Sequence, residues 1–148
     1  MHRFLPPPVV ALLWALAMWV VARHVAAFPL LRLEGAAWCL GAVGGALFVA
    51  AGVPFLQRRT TINPMRPENA SRLITDGVYR LSRNPIYLAD ALLLLAWGLW
   101  LADGVALLLV PGFVAFITRF QVKAEERALQ ARFGRDYSAY CAKVRRWL

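Results

Sequence analysis

The sequence predicts an all-α polytopic membrane protein, with about four transmembrane helices and a cytoplasmic amphipathic C-terminal helix. Three observations carry this prediction. Sixty per cent of the 148 residues are hydrophobic, more than a soluble domain of this length needs for its core. The apolar residues are collected in runs close to the roughly 20 residues that a bilayer crossing requires. The 17 Lys and Arg residues, against 8 Asp and Glu, give a formal net charge of +9 and lie almost wholly outside those runs. In a soluble chain that charge would suggest nucleic acid; beside so much apolar sequence, anionic lipid head groups are the expected partner and nucleic acid is not.

The first predicted span runs from Leu5 to Ala22 and opens on "PPP", a sequence that can enter a helix but not continue one. Arg23 and His24 close it and can reach the interface. A cleaved signal peptide is the competing reading, and Arg23 directly after the apolar core argues against it. The second span, Ala36 to Leu56, carries no charge. Within it Gly41 and Gly45 have the small-xxx-small spacing that lets helices approach closely, either a neighbouring span or a second copy in a homodimer. The third span runs from near Ile86 to Ala102 with Asp90 inside it, and Asp103-Gly104 marks a tight hairpin turn. The fourth starts at Val105, passes Pro111, which is expected to bend it, and continues through Ile117 into "TRFQVKAEER".

Topology follows from the basic residues. Arg3 precedes span one, six arginines follow span two, and eight Lys or Arg follow span four; Arg23 and Arg32 alone fall in the first loop. This asymmetry predicts four crossings with both termini and the middle loop in the cytoplasm, and the short form suggests a bacterial inner membrane. The six tryptophans fall mostly near predicted span ends, where an aromatic belt accounts for them. Cys39 and Cys141 have no metal-ligand spacing, and His2 and His24 make no cluster, so no metal is expected. The chain reads as one domain, with residues 1–57 supplying two anchoring helices and 58–148 the chemistry.

Polar residues concentrate at the mouth of the third span, in "TDGVYRLSRNPIYLADA". Asp76-Gly77 is a turn signal before Tyr79, and Asn84-Pro85 starts a helix whose first amides have no partner within it. An interfacial loop touching lipid phosphates would explain these residues as well as a ligand site does. The tail supplies the second element. Glu125 and Glu126 stand in a basic stretch, about 100° apart around the helix, so that one can face inward. Glu126 can pair with Lys123 or Gln130 along the helix surface, leaving Glu125 as the better candidate for a bound cation. Leu129, Phe133, Tyr137, Tyr140 and Val144 form an apolar stripe that should lie against the membrane face.

"GVYRLSRNPIYLA", followed by a hairpin and then "EERALQARFGRDYSAYCAKVRRWL", resembles the isoprenylcysteine carboxyl methyltransferase and phospholipid methyltransferase family of integral membrane enzymes. The resemblance covers residues 60 to 148. It implies an S-adenosyl-L-methionine site built without a nucleotide-binding sheet, and indeed no G-x-G-x-x-G is present. It places cofactor contacts on Ser71, Arg72, Leu73 and Ile74, on Tyr79, on Asn84, Pro85, Ile86 and Tyr87, and on Glu125. Where the family shows Arg-His-Pro this chain has Arg83-Asn84-Pro85, and where the isoprenylcysteine enzymes carry a substrate-binding arginine it has Gln121, with Arg119 two residues earlier.

Those positions define the expected chemistry: methyl transfer to a lipophilic acceptor entering from the bilayer. Arg83 is a candidate for holding an anionic group. Asp90 and Glu126 are candidates for proton handling, the bland alternative for Asp90 being a pair with Arg83 or Arg119. Arg119 and Gln121 are candidates for acceptor binding. A nicotinamide-dependent membrane reductase of related fold and a non-enzymatic membrane subunit are the rival readings.

Overall fold

In the computed structural model, which describes residues 6–25, 28–57 and 73–148, every regular element is helical. α1 spans Pro7–His24 and α2 spans Glu34–Gln57. A single 3-10 turn at Gly77–Arg80 precedes α3, Pro85–Leu101, and α4, Gly104–Ile117. A five-residue π turn, Thr118–Val122, joins α4 without interruption to α5, Lys123–Lys143. The starts follow local chemistry: proline occupies the opening of α1 and of α3, where a missing N–H costs nothing. Asp103 caps α4 by accepting from the Ala106 amide at 2.9 Å.

Among the described residues, three helices are long and apolar enough to cross a membrane: α1, α2 and the continuous run from Gly104 to Lys143, with mean hydropathies of 1.4, 2.0 and 1.9 in their most apolar windows. α3, at 17 residues, is apolar but shorter. The α3–α4 turn differs in detail from the expected Asp-Gly turn. Ala102 takes the left-handed position (φ 51°) and Asp103 the cap. Gly104 lies under Phe28, where a side chain would come within 3.2 Å of the Phe28 Cβ. The Leu30 amide donates to Ala102 and the Gly104 amide to Phe28, an isolated bridge that ties the first loop to the hairpin.

α1, α3 and α4 share one core, built on Val10, Met18, Tyr87, Ala91, Leu94, Val110, Phe113 and Ile117. Two tryptophans read as belt residues instead stitch this core: Trp14 Nε1 donates to Leu109 O at 2.7 Å and Trp97 Nε1 to Ala15 O at 3.1 Å. A buried indole N–H needs an acceptor, and a helix carbonyl supplies one. α2 lies against α3 through small residues. Gly41 faces Ala96, and an added carbon at Gly44 would sit 3.1 Å from Leu93 and 3.3 Å from the Ala89 carbonyl, whereas Gly45 meets nothing within 4 Å. The close approach therefore uses Gly41 with Gly44 inside one chain.

A second cluster caps the Tyr87 end of the bundle. Ala51, Ile74, Tyr79, Tyr137, Tyr140 and Val144 are buried together, with Leu129 and Phe133 packed alongside. The apolar stripe of the tail thus packs on protein. α5 is not a straight rod: Gly134 has φ 49° and ψ −114°, a geometry that glycine adopts without a side-chain clash. Gln130 and Ser138 bridge the break through each other and through the Gly134 carbonyl, at 3.0–3.3 Å.

Candidate functional site

The segment Leu73–Asn84 enters without regular structure, Asp76 is extended, and Gly77 (φ 59°) turns the chain into the 3-10 turn. This delivers Tyr79 into the cap. Its hydroxyl donates to Ala51 O on α2 at 3.3 Å, and its own carbonyl accepts from the Tyr140 hydroxyl at 2.6 Å. Burial raises the Tyr79 hydroxyl far above the usual phenol range, with Tyr140 and Glu125 adding to the effect. Burial also pushes Tyr140 up to about 12, against the opposing pull of Arg83. Both therefore stay protonated donors, and the rings remain neutral.

α3 begins one turn later, and its first inward residue, Tyr87, donates its hydroxyl to Glu125 Oε1 on α5. This bond joins the two segments that the sequence separates by 38 positions. The π turn makes it possible by carrying α4 over into α5 with no loop between. Burial pushes the Glu125 carboxyl, beyond the apolar span, up to about 7; the Tyr87 bond opposes that shift and Glu126 reinforces it. The sign follows from desolvation: the charged form is the one disfavoured.

Glu126 points elsewhere. Arg146 grips it with two of its nitrogens, Nε to Oε1 at 2.9 Å and Nη2 to Oε2 at 2.7 Å, and Arg83 Nη1 stands 3.4 Å from Oε1. Lys123 and Gln130, its expected partners, are not involved: Gln130 is bonded across the Gly134 break. Arg83 also donates to Cys141 Sγ. The geometry thus ties Arg83 and Glu126 to each other and to the C-terminal segment, with Arg83 Nε buried and without a hydrogen-bond partner among the described residues.

Around this pair the C-terminal residues form a strap over the start of α3. The Arg83 amide donates to Arg145 O at 3.0 Å, Ser82 Oγ to Arg146 O at 3.2 Å, and Asn84 Nδ2 to the same carbonyl at 3.0 Å. Trp147 packs under the bundle core. The asparagine in the histidine position is therefore a strap residue here. Ser82, Tyr140, Cys141 and Arg146 were not singled out for the site from the sequence. The Ser82-x-Asn84 spacing, which lets Ser82 Oγ accept the Asn84 amide at 3.1 Å, was the available signal.

The remaining candidates divide between the cap and the α3 and π-turn helices. Leu73 and Ile74 line the cap, Ile74 buried. Pro85 is enclosed and Ile86 packs on the cap cluster. Ser71 and Arg72 lie outside the described residues. Gln121 is buried in the π turn, while Arg119 stands exposed. Arg119 and Lys123 close one end of an open groove whose apolar wall is Val110, Pro111, Val114, Ala115 and Thr118. Asp90, one turn along α3 from Tyr87, is 4% exposed and pairs with neither Arg83 nor Arg119.

Residues 36–136 match the family model described as phospholipid methyltransferase. An uncharacterized protein of Haemophilus influenzae is 48% identical over 63 residues, covering 43% of this chain and the whole of that protein. No solved structure matches.

Proposed function

Since the chain belongs to the phospholipid methyltransferase family, a family of membrane methyltransferases, we propose that it is an S-adenosyl-L-methionine-dependent enzyme methylating a lipophilic acceptor. The Tyr87–Glu125 bond carries this reading, because it brings both signature segments to one point at the edge of the apolar bundle. The residues gathered there suit such a cofactor. Glu125 is a half-buried carboxylate that can accept from an ammonium group or a ribose hydroxyl. Tyr79 and Tyr87 present neutral rings to a sulfonium, an attraction of about 0.5–2 kcal/mol. The Leu73–Ile74 backbone, which lies outside any helix, offers amide and carbonyl groups for an adenine edge. When bound, the cofactor supplies an already activated methyl group.

The chain's own task is then to hold, align and exclude water. Tyr87 orients Glu125; Tyr140 and Ala51 fix Tyr79; the strap of residues 144–147, clamped by Glu126, holds the start of α3 in register. The groove on α4 lies on the outer face of the bundle, so that an acceptor with a hydrocarbon tail can approach from the bilayer while the cofactor reaches the cap from the cytoplasm.

Labelled S-adenosyl-L-methionine incubated with the purified protein and a bacterial lipid extract should yield a labelled lipid, identified by mass spectrometry; absence of any labelled product would remove the reading. Glu125→Gln should weaken cofactor binding about 10- to 100-fold by equilibrium dialysis, or about 1.4–2.8 kcal/mol. A cationic ligand needs the ionised carboxylate, and Glu125 binds its proton up to about pH 7. Cofactor affinity should therefore rise with pH until about 7 and level off above it, and the Gln variant should lose this dependence.

A further inference from the structure

We propose that the lateral groove on α4 binds one anionic phospholipid, its phosphate between Arg119 and Lys123 and its acyl chain along the apolar wall. The lipid is held as an effector and is not methylated, so the inference goes beyond the methyltransferase reading and does not depend on it. An acceptor entering from the bilayer passes along the same wall in its turn; methylation, not place, tells the two apart. The groove offers the chemistry of such a ligand in the right order. Its wall, from Val110 to Thr118, carries no charge, and Arg119 and Lys123 close the end. From Val110 to Arg119 the chain advances nine residues, roughly 13 Å along a helix, close to half of the ~30 Å hydrocarbon core of a bilayer. A lipid of one leaflet, its tail against the wall, therefore brings its phosphate to the two cations. The apolar run of α4 ends at Ile117, which puts both of them at head-group depth.

The charge calls for the same ligand. Neither Arg119 nor Lys123 makes an ion pair among the described residues. α4 has no acid of its own in the apolar run, and the two acids that follow are engaged: Glu125 accepts from Tyr87, and Glu126 is clamped by Arg146. Four positions apart, the two cations share one helix face, where like charges destabilise the helix. An anion between them removes that repulsion. A guanidinium can grip both free oxygens of a phosphodiester, and an ammonium adds a point charge beside them. A head group that carries its own ammonium would bring a third cation to the same place, so a net negative lipid is selected. Other interfacial arginines and lysines meet lipid phosphates in passing; this pair stands at the end of an apolar wall that holds the tail.

The position of the site fixes what the lipid does. Arg119 belongs to the π turn, and Lys123 opens α5 two residues before Glu125. A phosphate bridging them ties the turn to the first residues of α5 from the outer side, while Gln121 and Val122 are buried on the inner side. The joint between the apolar rod and the cap is thereby held from both faces.

The test uses the full chain, stripped of lipid in a non-ionic detergent and free of S-adenosyl-L-methionine, with phosphatidylglycerol, phosphatidylcholine and inorganic phosphate as probes. Phosphatidylglycerol should bind one to one by native mass spectrometry. At ten times its dissociation constant it should slow amide exchange in residues 118–126 about tenfold. Phosphatidylcholine, without net charge, and inorganic phosphate, without a tail, should do neither. Arg119→Gln with Lys123→Gln should weaken phosphatidylglycerol binding about 10- to 100-fold, the loss of charge-assisted bonds. Arg127→Gln with Arg135→Gln removes the same charge from exposed positions of α5 and should leave the affinity unchanged. Ala115→Trp, which fills the wall and keeps every charge, should weaken binding as well. Equal losses in the two double variants would mean diffuse attraction to a basic surface and overturn the proposal. Phosphatidylcholine binding as tightly as phosphatidylglycerol, or inorganic phosphate alone protecting residues 118–126, overturns it equally. Because no cofactor is present, a failure here leaves the methyltransferase reading standing, and a failure to methylate any lipid leaves this site standing.

Discussion

The bundle of α1–α4 and the cap formed by residues 73–84 with α5 and the strap are held by different forces. In the bundle, contacts are steric: Gly44 against Leu93, Gly98 against Leu107 and Met18, and two indole N–H groups on helix carbonyls. In the cap, a carboxylate is clamped by two arginines, three donors converge on the carbonyls of Arg145 and Arg146, and tyrosine hydroxyls bond backbone. The solvents explain the difference. Lipid is as apolar as the helix surface, so helices associate through close fit; at the aqueous edge, directional charged bonds select one arrangement. The site lies where the two regimes meet, with a ring from the bundle and an acid from the cap.

The contrast can be broken at its strongest point by Glu126→Leu, which leaves Arg83 and Arg146 facing each other without a counter-charge. Removing one member of a largely buried pair costs about 3 kcal/mol. Amide hydrogen exchange should accelerate in residues 73–84 and 137–147 and stay unchanged in α1 and α2; uniform acceleration would mean that cap and bundle are one unit. Gly44→Ala tests the bundle by forcing a carbon against Leu93 and the Ala89 carbonyl, at about 1–2 kcal/mol, visible as a lower melting temperature in detergent. Gly45→Ala should be neutral, since nothing lies within 4 Å of it; a loss there would point to a second copy on that face. Trp14→Phe keeps the ring and removes the bond to Leu109, at roughly 0.6–1 kcal/mol, with cofactor binding unaffected.

Much of the bundle was legible because a membrane span needs only length and apolarity, and the helix bounds fall within two residues of those read from the sequence. The Tyr87–Glu125 meeting was legible through the paired motifs. Other features were not. Whether a tryptophan faces lipid or a neighbouring carbonyl depends on helix rotation, which hydropathy does not report. Gly44 rather than Gly45 turns inward for the same reason. The destination of Arg83 and Glu126 was hidden because Arg146 lies 20 residues beyond Glu126, past a helix break that the periodic stripe conceals. Asn84 stands where the resemblance places a histidine; its partner here, the Arg146 carbonyl of the terminal segment, carries no side-chain signature.

The π turn at Thr118–Val122 acts as a rotary offset between the membrane-facing and water-facing halves of one continuous rod. Such turns accommodate one surplus residue, and every residue in an α-helix advances the azimuth by about 100°. Removing the surplus residue would therefore close the turn into ordinary α-helix with Glu125 still facing Tyr87. Losing one from the regular helix just beyond, at Lys123 or Ala124, would instead swing Glu126 toward the bearing now held by Glu125, exchanging the clamped acid for the one that meets Tyr87 without altering either side chain. Which of two neighbouring glutamates meets Tyr87 is thus decided upstream, by a count of residues rather than by their identity.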